Sequence, residues 1–290
     1  MLHALSLILF LQCLPATSSA TTLSLPLYGI FPWRTLSFTQ HQTLQAVLPT
    51  LTQALGIPVV LPEGGVESGC VTPPEVSTIN LASDDRISVP SRAALVSKSR
   101  RSHADLGDAH TVSLSLGHVT AWERFLVSGA PYALFVVDPG SVVVAPGGGS
   151  GGGALEGLHL GEGGGGGPGK LAWDLALLGS LVPPTLSSAG GGDLDWAYKP
   201  LKWRGWYAYI LSAKGVKTLL DEGALPLSQR LESHAGSLVD LGLLSAVAWR
   251  GRRGGLLARS AAAAAAAAAA TAITTTVGGD PPPFPSGSPL

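Results

Sequence analysis

Charged residues, cysteine and asparagine are all scarce in this chain of 290 residues. Only 13% of its residues are charged and its formal net charge is −1, so it lacks the basic character typical of proteins that bind nucleic acid. One of its two cysteines, Cys13, lies in an N-terminal segment that we expect to be removed, which leaves Cys70 without an intrachain disulfide partner. The single asparagine, Asn80, is followed by Leu-Ala and forms no glycosylation sequon.

The first twenty residues have the pattern of a secretory signal peptide. An apolar core runs from Leu5 to Leu11, and the small residues Ser18 and Ala20 occupy the −3 and −1 positions of a cleavage site. Because the segment before this core contains no Lys or Arg, an uncleaved anchor and a buried N-terminal helix are the alternatives. The core is shorter than the roughly 20 residues of a membrane span. We therefore expect removal of residues 1–20, no transmembrane span afterwards, and a location in the lumen of the endoplasmic reticulum or Golgi, or secretion.

Hydrophobic periodicity predicts an α/β fold with a mostly parallel sheet. An apolar strand at residues 24–33 precedes a helical stripe at 39–55 and a second apolar strand at 56–61. A strand, a helix and another strand in this order are typical of the crossover unit that opens such a sheet. With 46% hydrophobic residues the chain can bury a sizeable core, and we expect one domain over residues 21–250.

The stretch 111–144 is the centre of the predicted fold. His118, Trp122 and Phe125 recur at helical spacing, and the uninterrupted apolar run 132–137 then predicts a strand buried on both faces. This strand ends at Asp138, and an acid at the end of such a strand indicates a ligand cleft. We expect Trp122 to be buried between the helix and the strand.

Two low-complexity segments interrupt or follow this pattern. Residues 146–169 are dominated by glycine and predict a flexible loop. Ser150 within it fits a nucleophile-elbow pattern, but the serine hydrolase that this would indicate requires a helix directly after it, and more glycine follows. Residues 251–290 form an Ala-rich and Pro-rich tail, in which Ser260 and ten alanines predict a capped helix too weakly apolar to span a membrane.

A pair of acids before a tryptophan offers a candidate metal site. Asp193 and Asp195 are separated by one leucine. Carboxylate oxygens are the ligands that Mg²⁺ and Mn²⁺ prefer, and many enzymes that use sugar nucleotides hold such a metal against the diphosphate with an Asp-x-Asp pair. We therefore expect Asp138, Asp193 and Asp195 to be ligands of one such metal ion.

Three motifs, in the same order along the chain, resemble those of the family-25 glycosyltransferases, which include lipooligosaccharide and procollagen galactosyltransferases. The first is similar to a helix reading Gly-Cys-x-Leu-Ser-His-x-x-x-Trp and a strand ending Leu-Glu-Asp-Asp, the second to Trp-Asp-Leu-x-x-Leu-Gly, and the third to Gly-x-x-Ala-Tyr-x-Leu-Ser-x-x-Gly. The matching residues are Leu116, His118, Trp122, Glu123, Gly129, Ala133, Leu134 and Asp138, then Trp173, Asp174, Leu175, Leu178 and Gly179, then Gly205, Ala208, Tyr209, Leu211, Ser212 and Gly215.

The resemblance implies a GT-A-like domain that binds nucleotide sugars. It implies transfer of a hexose, galactose by similarity, from a UDP-sugar to a hydroxyl of a glycan or protein acceptor, with Mn²⁺ or Mg²⁺ as cofactor. The substrate-binding residues that it implies are His118, Asp138, Asp174, Tyr209 and Ser212. For Tyr209 and Ser212 a structural role is the alternative, with Tyr209 in the core and Ser212 as a helix cap, and Asp174 could instead bond the local backbone.

Departures from the family pattern lie at the site itself. Gly117 replaces the family's serine, and Val137 and Pro139 replace the acids on either side of Asp138. The acidic triplet is therefore reduced to one carboxylate. The alternative function is a catalytically inactive relative that keeps the fold as a binding or scaffolding protein.

Overall fold

The computed structural model of this chain describes most of the expected domain. The described residues are 24–32, 34–98, 105–144, 173–182, 185–186, 196–198, 200–201, 203–249 and 256–260. The expected signal peptide, the Gly-rich loop 146–169, the acids Asp193 and Asp195, and the ten alanines lie outside the described residues.

The described secondary structure alternates between strands and helices. The strands are β1 (Leu25–Ile30), β2 (Val59–Val60), β3 (Cys70–Val71), β4 (Tyr132–Val137), β5 (Val142–Val144), β6 (Leu175–Val182), β7 (Thr185–Leu186), β8 (Trp196–Tyr198), β9 (Pro200–Leu201), β10 (Arg204–Ser212), β11 (Ala246–Trp249) and β12 (Leu257–Arg259). The α-helices are α1 (Ser37–Leu55), α2 (Gly65–Gly69), α3 (Val89–Val96), α4 (Ala109–Ser128), α5 (Ala213–Leu219) and α6 (Leu231–Asp240).

Eight of these strands form one mixed sheet in the order β2-β1-β4-β10-β6-β11-β8, with β3 also paired to β1. β1 is parallel to β2, β3 and β4, and β6 is parallel to β11, whereas β10 is antiparallel to both of its neighbours and β8 is antiparallel to β11. The expected α/β fold with a mostly parallel sheet is therefore confirmed. The chain leaves β1 toward β2 on one side and returns through β4 on the other, so the strand order reverses between β1 and β4.

Helices cover the two faces of β1. Gly29 faces α1, because a Cβ atom at this position would lie 2.7 Å from Leu44. Tyr28 points to the opposite face, where its ring lies 6.3 Å from that of Phe125 in α4. Both faces of the strand are therefore buried, which explains its uninterrupted apolar sequence.

A two-stranded ribbon of β5 and β12 shares the α1 face of the sheet. The ribbon is antiparallel, and the Tyr207 hydroxyl of β10 donates a hydrogen bond to the Leu257 carbonyl in β12 at 2.7 Å. The packed structure thus extends to Arg259, beyond the expected domain boundary at residue 250. Within the part of the chain that the structure describes, no helix combines the length and the apolar character needed to cross a membrane.

Trp122 is fully buried in α4, as the sequence predicts. Its indole lies edge-on to Trp206 with 6.1 Å between ring centroids, and its Nε1–H donates to the Tyr209 hydroxyl at 3.0 Å. Both partners belong to β10, so these contacts of Trp122 join α4 to β10, the strand next to β4, whereas the sequence predicted packing against β4.

Replacing Trp122 separates ring packing from hydrogen bonding. Trp122→Ala is expected to lower the free energy of unfolding by ~3 to 5 kcal/mol, because it empties a large core position. Trp122→Phe keeps a ring and loses mainly the N–H donor, so we expect a smaller loss of about 1 kcal/mol for the hydrogen bond, together with some loss of packing. Urea unfolding measures both values. Equal stability of Trp122→Ala and the unmutated protein would contradict this placement.

Candidate functional site

Asp138 lies at the carboxyl end of β4, beside the end of β1. Its backbone N–H donates to the Ile30 carbonyl at 2.8 Å, and its own carbonyl accepts from the Ser141 N–H and hydroxyl, both at 2.9 Å. These bonds fix the residue where the strand order reverses. In open α/β sheets, ligands bind in the crevice outside the carboxyl ends of the strands at such a reversal.

The backbone of Asp138 adopts a left-handed conformation, with φ 50° and ψ 68°. Only a few per cent of residues other than glycine do so, and such strained residues are concentrated at functional sites. The side chain is half-buried, and its carboxylate accepts no hydrogen bond and forms no ion pair with the described residues. Among the described residues, therefore, the backbone of Asp138 is held at the edge while no side chain or backbone group occupies its carboxylate oxygen atoms.

Helix α1 begins at the same edge of the sheet. A Cβ atom on Gly140 would lie 3.1 Å from Thr43, so the helix contacts the turn that follows Asp138. The N-cap residue Leu36 offers no side-chain oxygen to the first-turn N–H groups, and this turn contains no acid. The positive end of the helix dipole therefore lies near the end of β1, where it favours a negatively charged group.

The loop between β1 and α1 is anchored by Gln40, which the sequence analysis did not single out. Gln40 is 3% exposed, and its Nε2 atom donates to the Thr35 carbonyl at 2.8 Å and to the Thr72 hydroxyl at 3.0 Å. The residue occupies a core-facing position four residues before Leu44, where the helical stripe predicts an apolar side chain. A polar residue in this apolar stripe is the sequence feature that could have identified Gln40.

His118 and Tyr209 meet inside the core. Their exposed fractions are 2% and 0%, and His118 Nδ1 lies 2.6 Å from the Tyr209 hydroxyl oxygen. Because the Trp122 N–H already donates to this oxygen, the tyrosine O–H can donate to Nδ1 of a neutral His118. Tyr209 therefore occupies the core, which is the structural alternative to its substrate-binding role, and neither ring reaches the surface in this conformation.

Burial lowers the pKa of His118 to about 3, because an imidazolium ion would lose its hydration in the apolar core. Protonation would also place a hydrogen on Nδ1 and remove the acceptor of the Tyr209 O–H. The network therefore requires neutral His118.

Asp174 and Ser212 lie together at the opposite edge of the sheet. The Asp174 carboxylate accepts from the Ser212 hydroxyl at 3.3 Å, from Lys214 at 3.3 Å and from the Ser245 N–H at 3.1 Å. Ser212 is the N-cap of α5, since its hydroxyl accepts from the Gly215 N–H at 2.9 Å. Asp174 thus bonds the backbone and Ser212 caps a helix, which are the structural roles given above as alternatives. Together, the two residues join the start of β6, the end of β10 and the start of β11.

The structure therefore places the five predicted substrate-binding residues in three separate locations. Ser212 pairs with Tyr132 at the start of β4, while Asp138 follows its end. Six residues of strand at ~3.3 Å each separate the two edges by about 20 Å. One bound sugar cannot contact Asp138 and Ser212 at once, and His118 and Tyr209 lie in the core.

The described residues do not by themselves form a metal site. No three His, Cys, Asp or Glu side chains among them converge in a way that could hold an ion. Asp138 alone offers at most two of the six or more oxygen ligands that Mg²⁺ or Mn²⁺ takes. The expected ligands Asp193 and Asp195 lie outside the described residues.

The residues that depart from the glycosyltransferase pattern pack against other parts of the fold. A Cβ atom at Gly117 would lie 2.6 Å from Pro73, so the serine of the family pattern has no room here. Val137 is buried, and Pro139 packs against Gly29, where a Cβ atom would lie 3.0 Å from it. These three positions therefore serve packing around Asp138.

A separate pocket of about 670 Å³ lies between α2 and the second half of α4. It is lined by Tyr28, Glu63, Glu67, Ser68, Glu123, Arg124, Val127 and Ser128. None of the predicted site residues lines it. Arg124 is held there by a 2.7 Å hydrogen bond to the Cys70 carbonyl at the end of α2, which is a helix-capping contact.

Comparison with protein-family models gives no match, and no curated protein matches the chain.

The stability of the protein is expected to fall as the pH drops below about 6.5. His118 has a lower pKa in the folded than in the unfolded state, so the unfolded chain binds more protons between pH 6.5 and 3, and acid favours unfolding. Lowering the pH from 7 to 5 should remove about 2 kcal/mol through this group. His118→Phe should show a flatter profile in urea unfolding between these pH values. His234, whose pKa burial also lowers, remains in both proteins as an internal reference. Identical pH profiles would contradict the buried neutral His118.

Substituting Gly117 tests its packing against Pro73. Gly117→Ser is expected to lower stability by ~1 to 3 kcal/mol through overpacking, and Pro73→Ala should recover part of this loss in the double variant. Gly236→Ser in α6 is the matched control, because the nearest atom to a Cβ there is 4.0 Å away. Thermal unfolding of the four variants measures these effects. Equal losses of stability in Gly117→Ser and Gly236→Ser would contradict the contact of Gly117 with Pro73.

Proposed function

We propose that this chain is a glycosyltransferase that binds a UDP-sugar at the carboxyl edge between β1 and β4 and transfers its hexose, galactose by resemblance, to a hydroxyl acceptor. The observation that carries the proposal is Asp138. It is a half-buried carboxylate without a described partner, on a residue with left-handed backbone, at the point where the strand order reverses. The UDP-sugar as donor is proposed from the three motif matches. The GT-A-like assignment rests on these matches together with the mostly parallel sheet.

The residues at this edge suit two parts of such a donor. The first-turn N–H groups of α1 and the positive end of its dipole can stabilise the diphosphate, because Leu36 leaves them without a side-chain cap. The Asp138 carboxylate can accept hydrogen bonds from sugar or ribose hydroxyl groups, or take the proton of the acceptor hydroxyl. Mn²⁺ or Mg²⁺ would neutralise the departing diphosphate if residues outside the described part supply further oxygens.

A binding protein without transferase activity is the second candidate. It is favoured by the positions of His118, Tyr209, Asp174 and Ser212, none of which lies at the edge with Asp138. In this case the edge would still bind a nucleotide or sugar, and the remaining motif residues would only stabilise the fold.

The location, the secretory pathway or the outside of the cell, is proposed from the signal-peptide pattern.

Asp138→Asn separates a ligand role from a structural role. Asparagine tolerates the left-handed conformation, and the carboxylate has no described partner, so stability should change by less than about 0.5 kcal/mol. Binding of a UDP-sugar, measured by calorimetry over a donor panel with and without Mn²⁺, should be lost. Asp174→Asn is the matched control at the opposite edge. It should lose ~1.5 to 3 kcal/mol of stability, because its carboxylate accepts three hydrogen bonds, and it should keep binding.

Release of UDP in the presence of glycan and peptide acceptors distinguishes the two candidates. Binding together with acceptor-dependent UDP release supports the transferase, and binding without release from any acceptor supports the binding protein. If the unmutated protein bound no UDP-sugar at millimolar Mn²⁺, both would be abandoned.

A further inference from the structure

The ribbon of β5 and β12 carries an arginine to the edge of the sheet that holds Asp138. Arg259 lies in β12 and pairs with Val142 in β5, four residues after Asp138. The next residue, Ser260, donates its N–H to the Ser141 carbonyl at 2.7 Å, in the turn that follows Asp138. The backbone of Arg259 is therefore fixed beside the carboxyl end of β4.

An irregularity in β10 provides the ring on which this arginine lies. Trp206 of β10 pairs with Ser180 of β6. The next pair joins Ala208 to Gly179, which leaves Tyr207 as an extra residue, a β-bulge. A Cβ atom at Gly179 would lie 2.4 Å from the Tyr207 ring, so this ring packs directly on the glycine. Bulges redirect side chains and are frequent beside binding sites.

Tyr207 joins the ribbon to the sheet near the candidate site. Ala208, the residue after it, pairs with Val136, two residues before Asp138. The Tyr207 hydroxyl donates to the Leu257 carbonyl in β12 at 2.7 Å. The ring is therefore held between β10 and the ribbon, close to the carboxyl end of β4.

The guanidinium group of Arg259 lies over this ring. Its Cζ atom is 5.5 Å from the centroid of the Tyr207 ring, which is within the range of cation–π contacts. Arg259 forms no ion pair and donates no hydrogen bond to the described residues, and its Nε atom is buried. Its two Nη atoms are not among the buried atoms of the described residues that lack a partner. The guanidinium therefore presents these two donors side by side at the surface.

Such an arrangement suits a phosphate group. The guanidinium is planar, remains charged at any physiological pH, and donates two parallel hydrogen bonds to oxygen atoms of one phosphate. The ring beneath it restrains the side chain before a ligand binds, which lowers the entropic cost of binding. Helix α1 adds the positive end of its dipole at the same edge, where Thr43 contacts Gly140.

We propose that Arg259 binds a phosphate-type anion at the carboxyl edge beside Asp138. The diphosphate of a UDP-sugar is the anion that the proposed function supplies, and this identification of the ligand rests on that function. Arg259 lies beyond the three motifs that resemble the glycosyltransferases and beyond the domain boundary expected at residue 250. The C-terminal strand β12 is then part of the donor site.

Calorimetry with inorganic pyrophosphate tests the anion site without any nucleotide. In the full chain at low salt and without added metal ion, Arg259→Gln should weaken pyrophosphate binding by roughly 10- to 100-fold, because it removes a charge-assisted pair of hydrogen bonds. Arg259→Lys keeps the charge and the contact with Tyr207 but not the fork, so we expect a loss of about 3- to 10-fold. This second variant provides the test if Arg259→Gln does not fold.

Lys217→Gln is the matched control for the loss of one positive charge. Lys217 is exposed on α5, which begins at the opposite edge of the sheet, and its substitution should leave pyrophosphate binding unchanged. Binding by both Arg259 variants as tight as by Lys217→Gln would overturn the proposal. Absence of pyrophosphate binding by the unmutated protein would also overturn it.

UDP and uridine distinguish failure of this proposal from failure of the proposed function. Arg259→Gln should weaken UDP binding by roughly 10- to 100-fold and change uridine binding by less than about 2-fold, because uridine carries no phosphate. Equal losses for the two ligands would show that Arg259 acts through the fold, and the proposal would fall. If the unmutated protein binds neither UDP nor a UDP-sugar, the proposed function fails, and the pyrophosphate result still decides whether Arg259 forms an anion site.

Discussion

The hydrogen bond from the Asp138 N–H to the Ile30 carbonyl closes the parallel ladder of β1 and β4, and the candidate site depends on it. It brings the ends of two strands together at the point where the strand order reverses. It also fixes the backbone of Asp138, which has a left-handed conformation. The small residue Gly29 makes this possible, because a side chain there would collide with Leu44, Phe31 and Pro139.

The antiparallel strand β10 determines which residues cannot belong to this site. Because β10 runs opposite to β4, its last residue, Ser212, lies beside the first residue of β4. The motif that ends at Ser212 therefore serves the far edge, where the Asp174 carboxylate accepts hydrogen bonds from the end of β10, from α5 and from the residue before β11. A parallel β10 would have placed the same motif beside Asp138.

A buried polar network joins the aromatic core to the helix layer. The Tyr209 hydroxyl is hydrogen-bonded to both His118 and Trp122 across the contact of α4 with β10, and the ring of Tyr209 stacks on Phe135 and Trp206. Polar groups in such a place fix one relative position of helix and strand, because any shift would leave them unpaired in a dry core. The three residues therefore have a structural role in holding α4 against β10.

The sequence by itself determined the strand, helix and strand of residues 24–61, the helix and strand of residues 111–137, the burial of Trp122 and the position of Asp138 at a strand end, because hydrophobic periodicity and turn residues are local signals. It also offered the core role of Tyr209 and the cap role of Ser212 as alternatives. Only the tertiary structure decided which motif residues share a location, since that depends on strand direction, and a strand's direction in the sheet leaves no mark on its own side-chain pattern. For the same reason the contact of Gly117 with Pro73 and the bonds of Gln40 became visible only when segments distant in sequence were brought together.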